Sequence, residues 1–444
     1  MNFGNLIGNI NYLRYAVGIS MMINGFPIIF FVRDTLGIGP ASSVFTGAFF
    51  GLALLLMMPP KLKLVAFKPN ILLFQFTALF FGILLYYFFF INNSGKAVAD
   101  IVNFAYTFAF FFLLLYVPND IQKTLLVVLF LMSFVNNLTL IYSLITNPSW
   151  TLGMRAAVTF ANEDAQQGGN PHLAARNALV CLLSGYALIR EFKNMWIKTF
   201  LMVSLVFSLC VMILTQSKSC LLGTGIIIAT HAVFRLRPAS IASGVRQLFT
   251  LRSLVVLIAL LGFFRYLIHR YNNIYGIIIN YWDVLAGRFE DVIFTAFQLE
   301  TSEDVAEDAS AMGRVASFDF LKEAIYDPEV LIVGNGYKYE FMDVPPIEML
   351  ANHGIVGCLV FCLLNFFFLM FSIRDIRQNK SSLAIFTASF FMYFPALLIS
   401  SGRPYDITYW FPYVFFARFL GLPYLSKNLS SPNQSLSGRT TLAS

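Results

Sequence analysis

The sequence predicts an all-α polytopic integral membrane protein with about 12 (11–12) transmembrane helices and one large outward-facing helical loop. Three observations predict it. Hydrophobic residues make up 58% of the 444 positions, and Phe alone occurs 49 times. Charged residues make up only 12%, where a soluble domain carries about 25%, so water-facing surface for a chain this long is lacking. Apolar runs also recur at the length that crosses a bilayer, about 20 residues of helix. Together these exclude a secreted disulfide scaffold, a disordered chain and a cytosolic enzyme.

The expected spans are 14–32, 41–58, 70–91, 99–117, 123–146, 172–190, 197–215, 219–234, 251–269, 347–372, 382–400 and 405–421. The seventh and eighth are separated only by Gln216-Ser217-Lys218. The chain then divides into 1–150, with the first five spans; 151–269, with the next four and an outer loop at 147–171; the large loop 270–346; the C-terminal spans in 347–425; and a tail, 426–444. That tail is rich in Ser, Asn and Pro and is expected to be disordered. The five cysteines, Cys181, Cys210, Cys220, Cys358 and Cys362, lie in or beside apolar stretches, without the spacing of a metal site.

Charge sets the orientation. One alternating set of short loops holds 14 Lys and Arg residues and the other set five, so the first set and both termini are expected on the cytoplasmic side. The net charge of +7 conceals a segregation: residues 271–348 carry 15 acids and four bases, a net of −11, leaving +18 elsewhere. Because the bases sit in short loops between apolar runs, they encode topology, and nucleic acid is not an expected partner. The first span has no clear cleavage site and is expected to stay as an anchor.

The acidic window is the one extramembrane segment large enough to build a site. Trp282, Leu285, Phe289, Ile293 and Phe297 recur at three and four residues, giving an amphipathic helix over 276–297 that lies on the membrane surface or on the loop's own core. A second amphipathic helix carries Val315, Phe318, Leu321 and Ile325, opens at Arg314 and stops at Asp327-Pro328. Gly334-Asn335-Gly336 then makes a turn, and Asp343 to Gly357 leads into the tenth span.

These pieces resemble the O-antigen ligase and O-antigen polymerase family of bacterial envelope proteins. The family's C-terminal module has a Ser-Arg pair at the start of a span, an outer loop with an arginine opening a helix, a proline-led Gly-x-Gly turn and a Gly-x-x-Gly entry to a span. Here the matching residues are Ser217-Lys218, Arg314, Asp327-Pro328 with Gly334-Asn335-Gly336, and Gly354-Ile355-Val356-Gly357. Asn170-Pro171-His172 looks like the family's Asn-Pro motif before a span, and the likeness covers roughly 150–370. Two departures matter. Lys218 keeps the charge of the Ser-Arg position but loses the bidentate fork. The ligases place His-Asn eleven residues before Gly-x-x-Gly, where this chain has Asp343-Val344, which moves the reading toward the polymerase branch. The resemblance implies a GT-C-like glycosyltransferase of the bacterial inner membrane with its large loop periplasmic. It implies polyprenyl-diphosphate-linked oligosaccharides as donor and acceptor, and a flippase and chain-length regulator as partners.

Such a reaction expels a diphosphate and deprotonates a hydroxyl, so it needs fixed positive charge and a base. The diphosphate-binding candidates are Arg314, Arg176, Lys218, Arg155 and Arg403. Arg176, about one turn inside the sixth span, reads either as a diphosphate clamp or as a structural arginine. The catalytic candidates are Asp343, Glu348 and His353; Asp343 also suits a helix cap, and Glu348 the first turn of a helix. No Asp-x-Asp motif is present, so metal-independent transfer without a cofactor is expected. A transporter or flippase is the rival reading, disfavoured because nearly all charges fall at span ends or in loops.

Overall fold

The computed structural model describes residues 3–38, 43–60, 65–147, 150–151, 154–158, 170–235, 265, 276, 309–324, 326–378, 381–400, 403–422 and 439–441. The chain is a helical, multi-pass membrane protein. Among the described residues seven helices are long and apolar enough to cross a bilayer, or eight if one bent pair makes a single span. In chain order the helices are α1 (Phe3–Asn24), α2 (Phe26–Phe30, running on as a π-helical turn to Thr35), α3 (Ser43–Met57), α4 (Ile71–Phe90) and α5 (Ala97–Leu114). Then come α6 (Gln122–Thr146), α7 (Pro171–Ile189), α8 (Met195–Leu214), α9 (Lys218–Arg235), α10 (Ala309–Ala324) and α11 (Pro328–Ile332). The last four are α12 (Pro345–Gln378), α13 (Ser382–Phe391), α14 (Phe394–Ser400) and α15 (Ile407–Phe419).

Helices also stand at the other expected spans that fall within the described residues, but α3 and α15 are short, at 15 and 13 residues. The expected span at 251–269 and the surface helix at 276–297 lie outside the described residues, Arg265 and Gly276 apart. So does the tail, except Arg439–Thr441, which pairs antiparallel with Val65–Phe67.

The first expected span is broken. α1 and α2 meet at 78° around Gly25. The cause is local: the helical donor for the Ile23 carbonyl would be the N–H of residue 27, and Pro27 has none. Two side chains attend to the exposed carbonyls. Arg176 Nη2 donates to Ile23 O at 3.3 Å and Asn136 Nδ2 to Asn24 O at 3.3 Å. Around them Asn24, Ser133, Asn136, Asn137, Asn177 and Ser208 form a buried hydrogen-bonded network between α1, α6, α7 and α8.

Contacts between loops respect the alternation read from charge. Arg14 donates to Met58 O, Tyr12 to Asp120, Arg418 to Leu114 O and Val117 O, and Arg374 to Gly421 O, all at one end of the bundle. At the other end Thr35 meets Ser143, Asn93 meets Tyr337 and Ala156 meets Leu214. The centre is filled by α15, whose residues from Tyr409 to Leu420 are all buried. Trp410 packs edge-on to Phe81 at 5.5 Å, and Phe416 does the same to Phe391 at 5.4 Å and Phe394 at 5.1 Å. Many of the chain's phenylalanines thus serve helix-to-helix packing in this interior.

Candidate functional site

The site is organised by a kink. α12 breaks at Gly354, whose φ is 60° and ψ −171°. A side chain is strained there, and a Cβ would overlap the Ile332 carbonyl oxygen. The break deprives the carbonyls of Ala351, Asn352 and His353 of their donors one turn on. The Gly-x-Gly turn replaces two of them: Asn335 N donates to Ala351 O at 2.8 Å and Gly336 N to Asn352 O at 2.9 Å. Tyr87 Oη donates to His353 O at 3.2 Å and more closely to Val333 O at 2.5 Å. Gly334 and Gly336 both have positive φ, and a Cβ on Gly334 would strike the Gly354 nitrogen at 2.5 Å. The two glycine motifs seen in the sequence are therefore two halves of one backbone-to-backbone contact.

That contact is tied to α4 and α5. Tyr337 N donates to Ile91 O at 2.8 Å, Asn93 N to Tyr337 O at 3.1 Å, and Lys338 forms an ion pair with the buried Asp100. Tyr337 itself is fully buried, and burial pushes its phenol ionisation up, so the ring stays neutral.

The short N-terminal arm of α12 carries two of the base candidates. Glu348 is 0% exposed. Its Oε1 accepts from Tyr405 Oη and lies 3.6 Å from Arg403 Nε, while Oε2 has no partner. Arg403 in turn lies over the Phe341 ring at 4.6 Å. Asn352 holds the assembly together: its Nδ2 donates to Tyr405 Oη and to Glu340 O at 2.8 Å, and its Oδ1 accepts from Glu340 N at 3.0 Å. His353 is also fully buried, with neither ring nitrogen partnered, walled by Tyr87, Tyr337 and Tyr405 at 4.7, 6.1 and 5.5 Å between centroids. Neither Glu348 nor His353 reaches solvent in this conformation.

Asp343 is half-buried where the loop meets α10. Its carboxylate lies so close to Gly313 that a Cβ there would overlap Oδ2. The first bonds of α12 run from Ile347 N and Glu348 N to Val344 O. Arg314, the residue after Gly313, stands on α10; its side chain lies outside the described residues.

A second group gathers where α7, α8 and α9 end on the same side. Asn170 caps α7 by accepting from His172 N at 2.9 Å, and Pro171 fits the first turn. His172 Nδ1 is 3.0 Å from Ser217 Oγ and 3.3 Å from Ser219 Oγ. Ser217 follows Gln216, a non-glycine residue at φ 49°, and Lys218 opens α9. Arg155 is exposed, in electrostatic reach of His172. Arg176, one turn along from His172, is 5% exposed; its Nη1 donates to Thr408 O at 2.7 Å, so both terminal nitrogens are engaged by backbone. These contacts are those of the structural alternative for Arg176, at the depth of about one turn that the sequence pattern implied.

One short segment joins the two groups. Arg403 and Tyr405 meet Glu348, and three residues on Thr408 meets Arg176. The structure thus gathers Asp343, Glu348, His353 and Arg403 with the backbone of Arg314, and Arg155, Arg176 and Lys218 beside them. Sequence reasoning missed Tyr405, Asn352, Tyr337 and the Asp100–Lys338 pair. Asp100 and Lys338 are 238 residues apart, and no local pattern links them. Among the described residues no three His, Cys, Asp or Glu side chains cluster as metal ligands would. No protein-family model and no curated protein matches this sequence.

Proposed function

We propose that the protein is a polysaccharide polymerase of the bacterial inner membrane. It transfers a growing glycan from polyprenyl diphosphate to the hydroxyl of a lipid-linked repeat unit at the periplasmic face, making O-antigen, capsule or exopolysaccharide. In this reading both termini are cytoplasmic, the spans number twelve in a GT-C-like arrangement, and no metal or cofactor takes part. Donor and acceptor are both lipid-linked, and a flippase and a chain-length regulator act beside it. The observation that carries the reading is the pairing of Arg403 with Glu348, joined through the 403–408 segment and Arg176 to the helix ends where Arg155 and Lys218 stand. Cations of that kind suit a departing diphosphate, and a carboxylate can accept a hydrogen bond from a bound sugar hydroxyl. Ligation to a lipid A-core acceptor is less well supported, since Asp343-Val344 replaces the ligase His-Asn pair.

The experiment is Arg314→Ala in cells that make the polymer. Loss of long-chain product with normal protein level and insertion is expected, and wild-type chain length would refute the assignment. A lipid-linked glycan flippase or transporter is the second reading, favoured by one observation: the α1–α2 break beside the buried Arg176, since transporters place broken helices and charges inside the bundle. Polymerisation by the purified protein, with no flippase present, separates the two.

A further inference from the structure

Asp343 is half-buried with its carboxylate against Gly313, and the group better placed to take the acceptor's proton is a histidine. Glu348 and His353 are 0% exposed, and Glu348 Oε1 is occupied by Tyr405. His172 is partly exposed and sits at the start of α7. We propose, resting on the polymerase reading above, that His172 is the general base of the transfer and that Ser217 positions it.

The role requires one tautomer, with Nδ1–H donating to Ser217 Oγ at 3.0 Å and the lone pair on Nε2. Ser219 Oγ, 3.3 Å from Nδ1 and 3.4 Å from Ser217 Oγ, backs the same contact. Ser217 is fully buried, and the unusual φ of 49° at Gln216 turns the chain so that Ser217 precedes α9. Strain of this kind persists only where surroundings enforce it, and it concentrates at functional positions. The ring is also held from the backbone side, through the Asn170 cap and Pro171. The charged groups around it are Arg155 from the preceding loop, Lys218 from α9, and Arg176 one turn along α7 with Asp406 near it.

The step balances without another reactant. The acceptor oxygen bonds to the anomeric carbon while Nε2 takes the hydroxyl proton. The bond from that carbon to the diphosphate oxygen breaks, and its electron pair leaves on the diphosphate, opposite the cationic groups. The imidazolium then returns its proton to water.

The test is polymerisation by the purified full-length protein in detergent, using a synthetic polyprenyl-diphosphate repeat unit. The variants are His172→Gln, His172→Ala and Ser217→Ala, each checked for folding by thermal melting. His172→Gln is expected to lower kcat by about 10²- to 10⁴-fold. The acid limb of the wild-type pH–rate profile should vanish with it, and added imidazole should restore part of the His172→Ala rate. Ser217→Ala, which loosens the ring without removing it, is expected to cost about 10-fold and to move the acid limb. Wild-type rates in His172→Gln, or a wild-type profile with no acid limb, overturn the assignment even where a variant melts early. A wild-type protein that does not polymerise at all overturns the polymerase reading itself and this role with it.

Discussion

Tyr405 is the residue on which most of the α12 arm depends. Its hydroxyl donates to Glu348 Oε1 and accepts from Asn352 Nδ2, all three side chains being buried. Tyr405→Phe therefore removes two contacts and leaves Arg403, at 3.6 Å, as the nearest side-chain partner of Oε1. A buried polar group losing its partner costs about 1–3 kcal/mol, so the unfolding free energy in detergent should fall by that amount. Asp319→Asn is the contrast. Its pair with Lys322 is 55% and 63% exposed, and a change within about 0.5 kcal/mol is expected. Denaturant titration of both variants checks the pair; equal losses would mean that the Tyr405 contacts are not individually important. Residue chemistry of this kind was partly legible in the sequence. Glu348 and Arg403 were read as site residues from the resemblance and from orientation. Their common partner Tyr405 sits 57 residues from Glu348, at the start of an expected span, where an aromatic residue reads as an interface anchor.

At the scale of elements, both breaks in the helices are repaired by distant groups. The kink of α12 needs glycine at 354, where the backbone is left-handed and the Ile332 carbonyl leaves no room. Gly354→Ala should destabilise by well over the ~1 kcal/mol that left-handed geometry alone costs an alanine. Gly225→Ala, on α9 with open space around it, should be neutral or stabilise by about 0.5–1 kcal/mol. Melting temperatures of the two variants separate the cases. The α1–α2 break makes a second prediction. Arg176 supplies a donor to the Ile23 carbonyl that Pro27 leaves without one. Arg176→Ala should cost about 1–3 kcal/mol, and less in a Pro27→Ala background where the backbone can supply its own bond. Equal costs in both backgrounds would remove that link. The glycine motifs were visible as sequence, and their order pointed to a turn and a span entry. That they close on one another was not visible, because Gly334 and Gly354 meet through backbone atoms that carry no sequence signal. The α1 break could have been found: Gly25-Phe26-Pro27 lies inside an apolar run read as one span.

For the whole molecule, hydropathy gave the helical membrane class and most helix positions, because burial in lipid leaves few alternatives to helix. It did not give how far each helix is enclosed. α15, over the expected span 405–421, has eleven of its 13 residues buried. Its 13 residues make about 20 Å of helix, short of the roughly 30 Å hydrocarbon thickness, so it is sheltered by neighbours and not by lipid. The alternation of sides predicts that cysteines introduced at Lys96 and Glu329, in a protein freed of its own five, label from one face of sealed vesicles. A cysteine at Lys193 should label only from the other; all three labelling from one face would break the topology.

The enclosed position of α15 has a consequence for biogenesis. It packs on α1, α4, α5 and α13, and Arg418 near its end locks onto Leu114, Val117 and Asn119, all made far earlier by the ribosome. During synthesis the surfaces of α1, α4, α5 and α13 that α15 covers, and the Leu114 and Val117 carbonyls that Arg418 engages, stay without that cover until it arrives. Assembly is closed from the centre by the segment translated late, and an interrupted chain ending before Ile407 presents the quality-control machinery with those surfaces uncovered.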